Sequence, residues 1–146
     1  MRIVLKVNEA EQDERIEVYA SEVSGKLHHA LNQFSKEMNE RKLYGKCEDM
    51  YYPLSYADIC RFYTENKQVV VEVNQRKMYV SERLYQLEEC LPSKFVRISK
   101  SEIINLDYIE KLSIELNGFI KIHFKNGIVT YSSRRYLNKI KEALQL

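Results

Sequence analysis

The chain has 146 residues, 45% hydrophobic and 30% charged, with eleven tyrosines and no tryptophan. That mix fits one globular domain with at most a small appendage, and it excludes a disordered or collagen-like chain. The formal net charge is only +2, no apolar run reaches the length of a membrane span, and the start Met1-Arg2-Ile3-Val4-Leu5-Lys6 is too short and too polar for a signal peptide, so a cytoplasmic protein is expected.

In chain order, residues 1–8 and 14–20 predict two strands. Ile3, Leu5 and Val7 alternate with polar residues, as do Ile16, Val18 and Ala20, and the short charged link 9–13 predicts a hairpin. Ser21 is the expected N-cap of a helix over 22–37, with Val23, Leu27, Ala30, Leu31, Phe34 and Met38 on one stripe. Residues 1–42 bury little by themselves. They are read as a dimerisation unit or as a unit docked on its own chain, and both readings stay open.

Residues 38–42 form a polar link. Short strands are expected over 43–45 and 50–54, with Pro53 at an edge, then over 59–64, 69–73 and 77–80. Ser81 should cap a short helix carrying Leu84, Leu87 and Leu91 that Pro92 stops. Two Asn-Gly pairs, Asn117-Gly118 and Asn126-Gly127, separate alternating runs over 112–116, 119–124 and 128–131. They predict a three-stranded meander with type I′ turns. Leu112, Ile114 and Leu116 should share one face of the first strand, and Ile120, Ile122 and Phe124 one face of the second. A last helix is expected over 133–144, capped by Ser132 or Ser133.

Catalysis finds no support. His28 and His29 are adjacent on a helix and cannot easily share a metal, and His123 stands alone. There is no glycine-rich phosphate loop and no hydrolase, zinc-protease or calcium-loop motif. Cys47, Cys60 and Cys90 are odd in number and far apart, which predicts free thiols and no zinc or redox motif. No enzyme, no cofactor, no metal and no small-molecule substrate is expected.

The charges are unevenly spread. Residues 1–93 hold 13 basic and 16 acidic residues, net −3, while residues 94–146 hold 10 basic and 5 acidic, net +5. A basic C-terminal part points modestly to a polyanion at one end. Two segments stand out there: Arg97, Ser99, Lys100 and Ser101, and then Ser132, Ser133, Arg134 and Arg135 at a strand-to-helix junction. A helix start offers free N–H groups to a phosphate, and an arginine offers a bidentate fork to phosphate or guanine. The competing reading is solvated surface, or pairing with Glu102 and Asp107.

The ordered set Phe95, Arg97, Ile98, Lys100, Ser101, Ile103, Ile104, Asn105, Tyr108 and Ile109, then Glu115 to Gly118, then Ser133-Arg134-Arg135-Tyr136 with Ile140-Lys141, resembles the LytTR family of bacterial DNA-binding domains. The resemblance implies a mainly β (α+β) fold, an elongated stack of small antiparallel sheets with short helices, here preceded by the N-terminal hairpin and helix. It implies a DNA-binding domain over 43–146 and no receiver domain, since residues 1–42 are too few for one. It further implies a transcriptional regulator that inserts loops into successive major grooves of double-stranded DNA, binding a direct repeat as a homodimer, and in compact members restrained by a membrane protein. Base contacts in the family come from three places, matched here by Asn66, Lys67 and Gln68, by Lys100, and by Arg135 with Arg134 and Ser133 in support. Many members carry His-Arg-Ser where this chain has Ser99-Lys100-Ser101. Asn105 is read as a structural turn residue. The alternative function is a β-rich protein–protein interaction module without DNA binding.

Overall fold

The computed structural model describes residues 16–38 and 42–146. Helix α1, Gly25–Met38, leads into β1 (Tyr44–Cys47), β2 (Met50–Pro53), β3 (Ile59–Glu65), β4 (Gln68–Val73) and β5 (Arg76–Val80). Helix α2 (Leu84–Cys90) is followed by β6 (Phe95–Ser99), β7 (Glu102–Asn105), β8 (Ile109–Ile114), β9 (Ile120–Phe124), β10 (Val129–Tyr131) and helix α3 (Leu137–Ala143). Seven strands form one antiparallel sheet in the order β2-β1-β5-β4-β3-β7-β6, and the expected meander forms a second, β10-β9-β8. The fold is therefore mainly β with short helices, as expected.

The large sheet is covered on both faces, and the alternation of its strands assigns each residue to a side. Phe62, Val69, Val71, Val73, Met78, Val80 and Ile103 pack with Leu84, Leu87 and Leu91 of and after α2. Their neighbours Cys60, Val96, Ile98 and Ile104 face the other way, against Ile120, Ile122 and Phe124 of β9 and Ile140 of α3. The consecutive pair Ile103 and Ile104 thus serves two separate cores.

One buried ionic network crosses the centre of the sheet. Arg61 on β3 donates to both carboxylate oxygens of Glu72 on β4, each at 3.0 Å, and to Glu102 on β7 at 2.9 Å. Glu102 also accepts a short hydrogen bond from the Thr130 hydroxyl of β10, which joins the two sheets. The Arg61 guanidinium lies 4.5 Å from the centre of the Tyr63 ring.

The turns depart from expectation. Neither Asn-Gly pair forms a type I′ turn: only Gly118 (φ 82°) and Gly127 (φ 86°) are left-handed there. Gly118 N–H donates to Glu115 O and Gly127 N–H to Phe124 O, while each Asn side chain accepts from the amide two residues on. This is a type I turn followed by a left-handed glycine. The paired positive φ angles of a type I′ turn occur instead at Glu48-Asp49, Asn66-Lys67 and Asn74-Gln75, all without glycine, between β1 and β2, β3 and β4, and β4 and β5. Strand register makes each a two-residue connection.

Other boundaries also shift. Helix α1 starts at Gly25, not at 22, and Ser24 rather than Ser21 caps it by accepting from Leu27 N–H. The expected strand over 1–8 lies outside the described residues, and 16–20, the described part of the second, has no regular structure. Helix α2 is capped by the Gln86 side chain, which accepts from Arg83 N–H, and not by Ser81. A bulge between Ile109 and Lys111 sets β8 so that Ile109, Leu112 and Ile114 oppose Phe124, Ile122 and Ile120. Ile114 runs past the edge of the core, and Leu116 is fully exposed beyond the strand instead of sharing its buried face.

Two stability outcomes follow. Arg61→Met leaves two buried carboxylates without their cation and should cost about 3–5 kcal/mol in urea unfolding. Gly127→Ala meets no neighbour within 4 Å, so its cost, about 1 kcal/mol, should come from backbone conformation alone. Gln75→Gly should move the midpoint the opposite way.

Candidate nucleic-acid interface

Three separate segments meet at the end of β6. On one side is the β3–β4 hairpin, whose tip is Asn66 and Lys67. Both are exposed and both are left-handed, at φ 50° and 63°, and Gln68 opens β4 beside them. Thr64 N–H donates to Ser101 O at 3.0 Å, which fixes this hairpin to the β6–β7 turn. On the other side, Ser133 N–H donates to Ile98 O at 2.9 Å and fixes the β10–α3 junction to the same strand. Two backbone hydrogen bonds therefore gather residues 66–68, 99–101 and 133–135 around one strand end.

The β6–β7 turn is built to present Lys100. Arg97 Nε donates to Ser99 O at 3.0 Å and its terminal nitrogens donate to Lys100 O at 2.7 Å and to Glu88 of α2 at 3.0 Å. Ser101 N–H donates to the Ser99 hydroxyl, closing the turn from within. With both carbonyls gripped, the exposed Lys100 side chain is the one left to face solvent. Arg97 therefore acts on its own chain: its guanidinium is half-buried, and each of its three nitrogens donates to an oxygen of the protein. Glu88 receives Lys139 of α3 as well, so a single carboxylate clasps α2, β6 and α3. Partial burial alone would raise the Glu88 carboxyl, but hydrogen bonds from Lys139 and Arg97 outweigh it and hold the group below its ordinary range.

At the third segment the structure corrects the expected helix start. Residues Arg134–Tyr136 form a 3-10 turn and α3 begins only at Leu137. The Ser133 side chain makes no cap, and the buried Ser132 hydroxyl accepts from Ile120 N–H. Ser133 N–H is also taken, by Ile98 O. Arg134 donates to Asn117 O at 2.8 Å and stacks 5.4 Å from the Phe119 ring. Arg135 is exposed and makes no hydrogen bond or ion pair with a described residue. Neither Glu102 nor Asp107 takes any of these cations: Glu102 pairs with Arg61 and Asp107 with Lys94. Asn105 is buried and donates to Ile59 O while accepting from Asp107 N–H, the structural turn role expected of it.

Sequence reasoning missed two neighbours. Arg83 and Tyr85, at the start of α2, line a hollow with Thr64, Lys67, Arg97 and Lys100. Nothing in their local sequence marks them, because only the fold carries α2 across to the hairpin and the turn. Burial, helped by Glu72, pushes the Cys60 thiol up to about 11, which keeps it protonated at neutral pH. Among the described residues no group of three His, Cys, Asp or Glu could hold a metal, and no helix is long and apolar enough to cross a membrane.

The LytTr DNA-binding domain family model matches residues 49–145, from the β1–β2 turn through α3. The chain belongs to the LytTR family. All ten sequence-derived contact residues lie within the matched span. Strand β1 precedes it but pairs with β2 and β5, so the LytTR sheet starts before residue 49. Uncharacterized HTH-type transcriptional regulators of Staphylococcus aureus, strains NCTC 8325 / PS 47 and MRSA252, are each 36% identical over 146 residues, covering 100% of this chain and 99% of their own length. A LytTr DNA-binding domain from Bacillus cereus has the same fold, with a TM-score of 0.69 at 18% identity over 73% of this chain and 99% of that one. The relatives carry an HTH-type name, yet here α1, α2 and α3 are each separated by several strands.

The clasp gives a pH signature. A carboxyl held low in the folded state contributes stability above its unfolded value and loses it as pH falls through the lower folded value. Wild type should therefore lead Glu88→Gln in thermal unfolding at pH 7, and the gap should close as pH falls through and below the ordinary carboxylate range.

Proposed function

We propose that this LytTR chain is a sequence-specific transcriptional regulator that reads successive major grooves of double-stranded DNA with loops. The observation that carries the reading is the convergence of the 66–68, 99–101 and 133–135 segments on the end of β6, each presenting an exposed basic side chain: Lys67, Lys100 and Arg135. Loops on a rigid sheet can enter a groove with their geometry already set, so little ordering entropy opposes binding. In this reading Arg135, without a partner among the described residues and able to make a bidentate contact, takes a guanine, and Lys100 and the Asn66–Gln68 tip contact bases or phosphates. Ser99, Ser101 and Ser133 support the turns, Arg134 anchors on Asn117, and Arg97 positions Lys100. The names of the Staphylococcus relatives support a role in transcriptional regulation.

The chain acts as a homodimer on a direct repeat. Support comes from α1, which has no buried residue and leaves Phe34 and Met38 exposed by 42% and 62%. Such a stripe gains from a partner. A protein-interaction module is the second reading, favoured by Tyr44, Met50, Tyr51 and Tyr79, exposed on β1, β2 and β5 at the far end of the large sheet. Salt separates the two, because groove binding releases counterions and weakens steeply as salt rises.

Selection from random-sequence duplexes at near-physiological salt should enrich a short motif repeated at about one helical turn. Absence of any enriched motif would count against sequence readout. On that motif Arg135→Ala should cost about 1–3 kcal/mol and relax base preference. Equal binding by the variant would displace readout from this residue. Phe34→Glu should shift sedimentation from dimer toward monomer, and a wild type that stays monomeric on its DNA would end the dimer reading.

A further inference from the structure

We propose that the hollow between α2, the β3–β4 hairpin and the β6–β7 turn is a DNA-phosphate site in which Arg83 supplies an additional anchoring cation. This rests on the DNA-binding reading above and adds to it a contact that no sequence motif marks.

The hollow measures about 510 Å³ and is lined by Lys67, Arg83, Arg97 and Lys100, with no acidic residue on its wall among the described residues. Arg97 is spent on Glu88 and on two backbone carbonyls. Lys67, Arg83 and Lys100 form no ion pair with a described residue. Three cations without an ion pair among the described residues, from three different elements, converge on one concavity. Their mutual repulsion is a standing cost that an anion between them would relieve.

The chemistry of the wall narrows the ligand. Lysine and arginine can only donate hydrogen bonds, and the other polar groups, the hydroxyls of Thr64 and the 60% exposed Tyr85, can donate too. A wall of donors suits an acceptor-only group such as a phosphate diester. It also suits the acceptor-only edge of a guanine, and a scrambled duplex separates the two, because a base contact is lost there and a phosphate contact is kept. Position agrees, since Lys67 and Lys100 belong to two of the three segments already assigned to the duplex. A phosphate seated between them would lie beside the groove those segments enter.

Arg83 is also prepared for the role. Its N–H donates to Gln86 Oε1 at 2.9 Å, and its carbonyl accepts from the amides of Gln86 and Leu87 at 3.0 Å each. The backbone is held while the side chain stays free, so only side-chain rotamers are ordered on binding. The bulk charge pattern concealed the site. Lys67 and Arg83 come from the part of the sequence with net charge −3, and folding brings them to Lys100 in the part with +5.

The test uses the full chain and two duplexes of equal length, one carrying the motif enriched from random-sequence DNA and one scrambled. Arg83→Ala should weaken binding to both duplexes several-fold and alike, lower the slope of log affinity against log salt by about one, and leave the ratio between duplexes unchanged. Arg83→Lys should keep the slope, because the charge remains. Tyr85→Phe should weaken both duplexes slightly at constant slope. Thermal unfolding of each variant checks that the fold is kept. An Arg83→Ala variant with wild-type affinity and slope overturns this inference while the DNA-binding reading stands. A change in the ratio between duplexes also overturns it, since that would make Arg83 a base reader. A wild-type chain that binds neither duplex overturns both.

Discussion

The structure turns on the carboxylates that hold Arg61. A buried cation between two buried anions is tolerable only with its partners in place, so β3, β4 and β7 must sit in one register for the three side chains to meet. Glu102 then carries the constraint onward to Thr130, which sets the small sheet against the large one. Glu102 is also the residue after Ser101, where the candidate surface begins. The same carboxylate that closes the core therefore fixes the first residue of β7 and, through it, the turn that presents Lys100.

What the sequence made legible follows from how local each signal is. The meander, the leucines of α2 and strands β3 to β5 were readable, because their periodicity is written in consecutive residues, whereas β7, buried at all four positions, shows no alternation to read. The type I′ turns were not. Asn-Gly is the expected pair for such a turn, yet here the glycines serve three-residue connections, while Glu48-Asp49, Asn66-Lys67 and Asn74-Gln75 are held left-handed by the strands on either side. Tertiary pairing overrides a local preference of about 1–2 kcal/mol per residue. The capping serines failed for a related reason. Ser132 was drawn into the core by Ile120, and Gln86 reached back to Arg83, so the expected caps were replaced by partners not predictable from spacing.

The candidate surface was legible only through the ordered resemblance to LytTR domains. Composition suggested a basic C-terminal part, but the sequence does not say that Thr64 bonds Ser101 or that Ser133 bonds Ile98. Those two contacts gather the segments. They also divide the basic residues by task. Arg97 and Arg134 are bound to backbone carbonyls of their own chain, whereas Lys67, Lys100 and Arg135 make no such bond to a described residue. An arginine in a motif and an arginine available to a ligand are different things, and only the hydrogen-bond pattern distinguishes them.

Strand β6 is the last strand of the large sheet. Its outer side is met by Ser133, while Ile140 of α3 packs with Val96 and Ile98. The final fourteen residues thus act as a guard over an edge that would otherwise offer open backbone groups to another chain. Shortening the chain there would do more than remove Arg134 and Arg135. It would turn a covered strand into a template for edge-to-edge association, so a truncated product would be lost to aggregation and not persist as a folded domain that merely fails to bind.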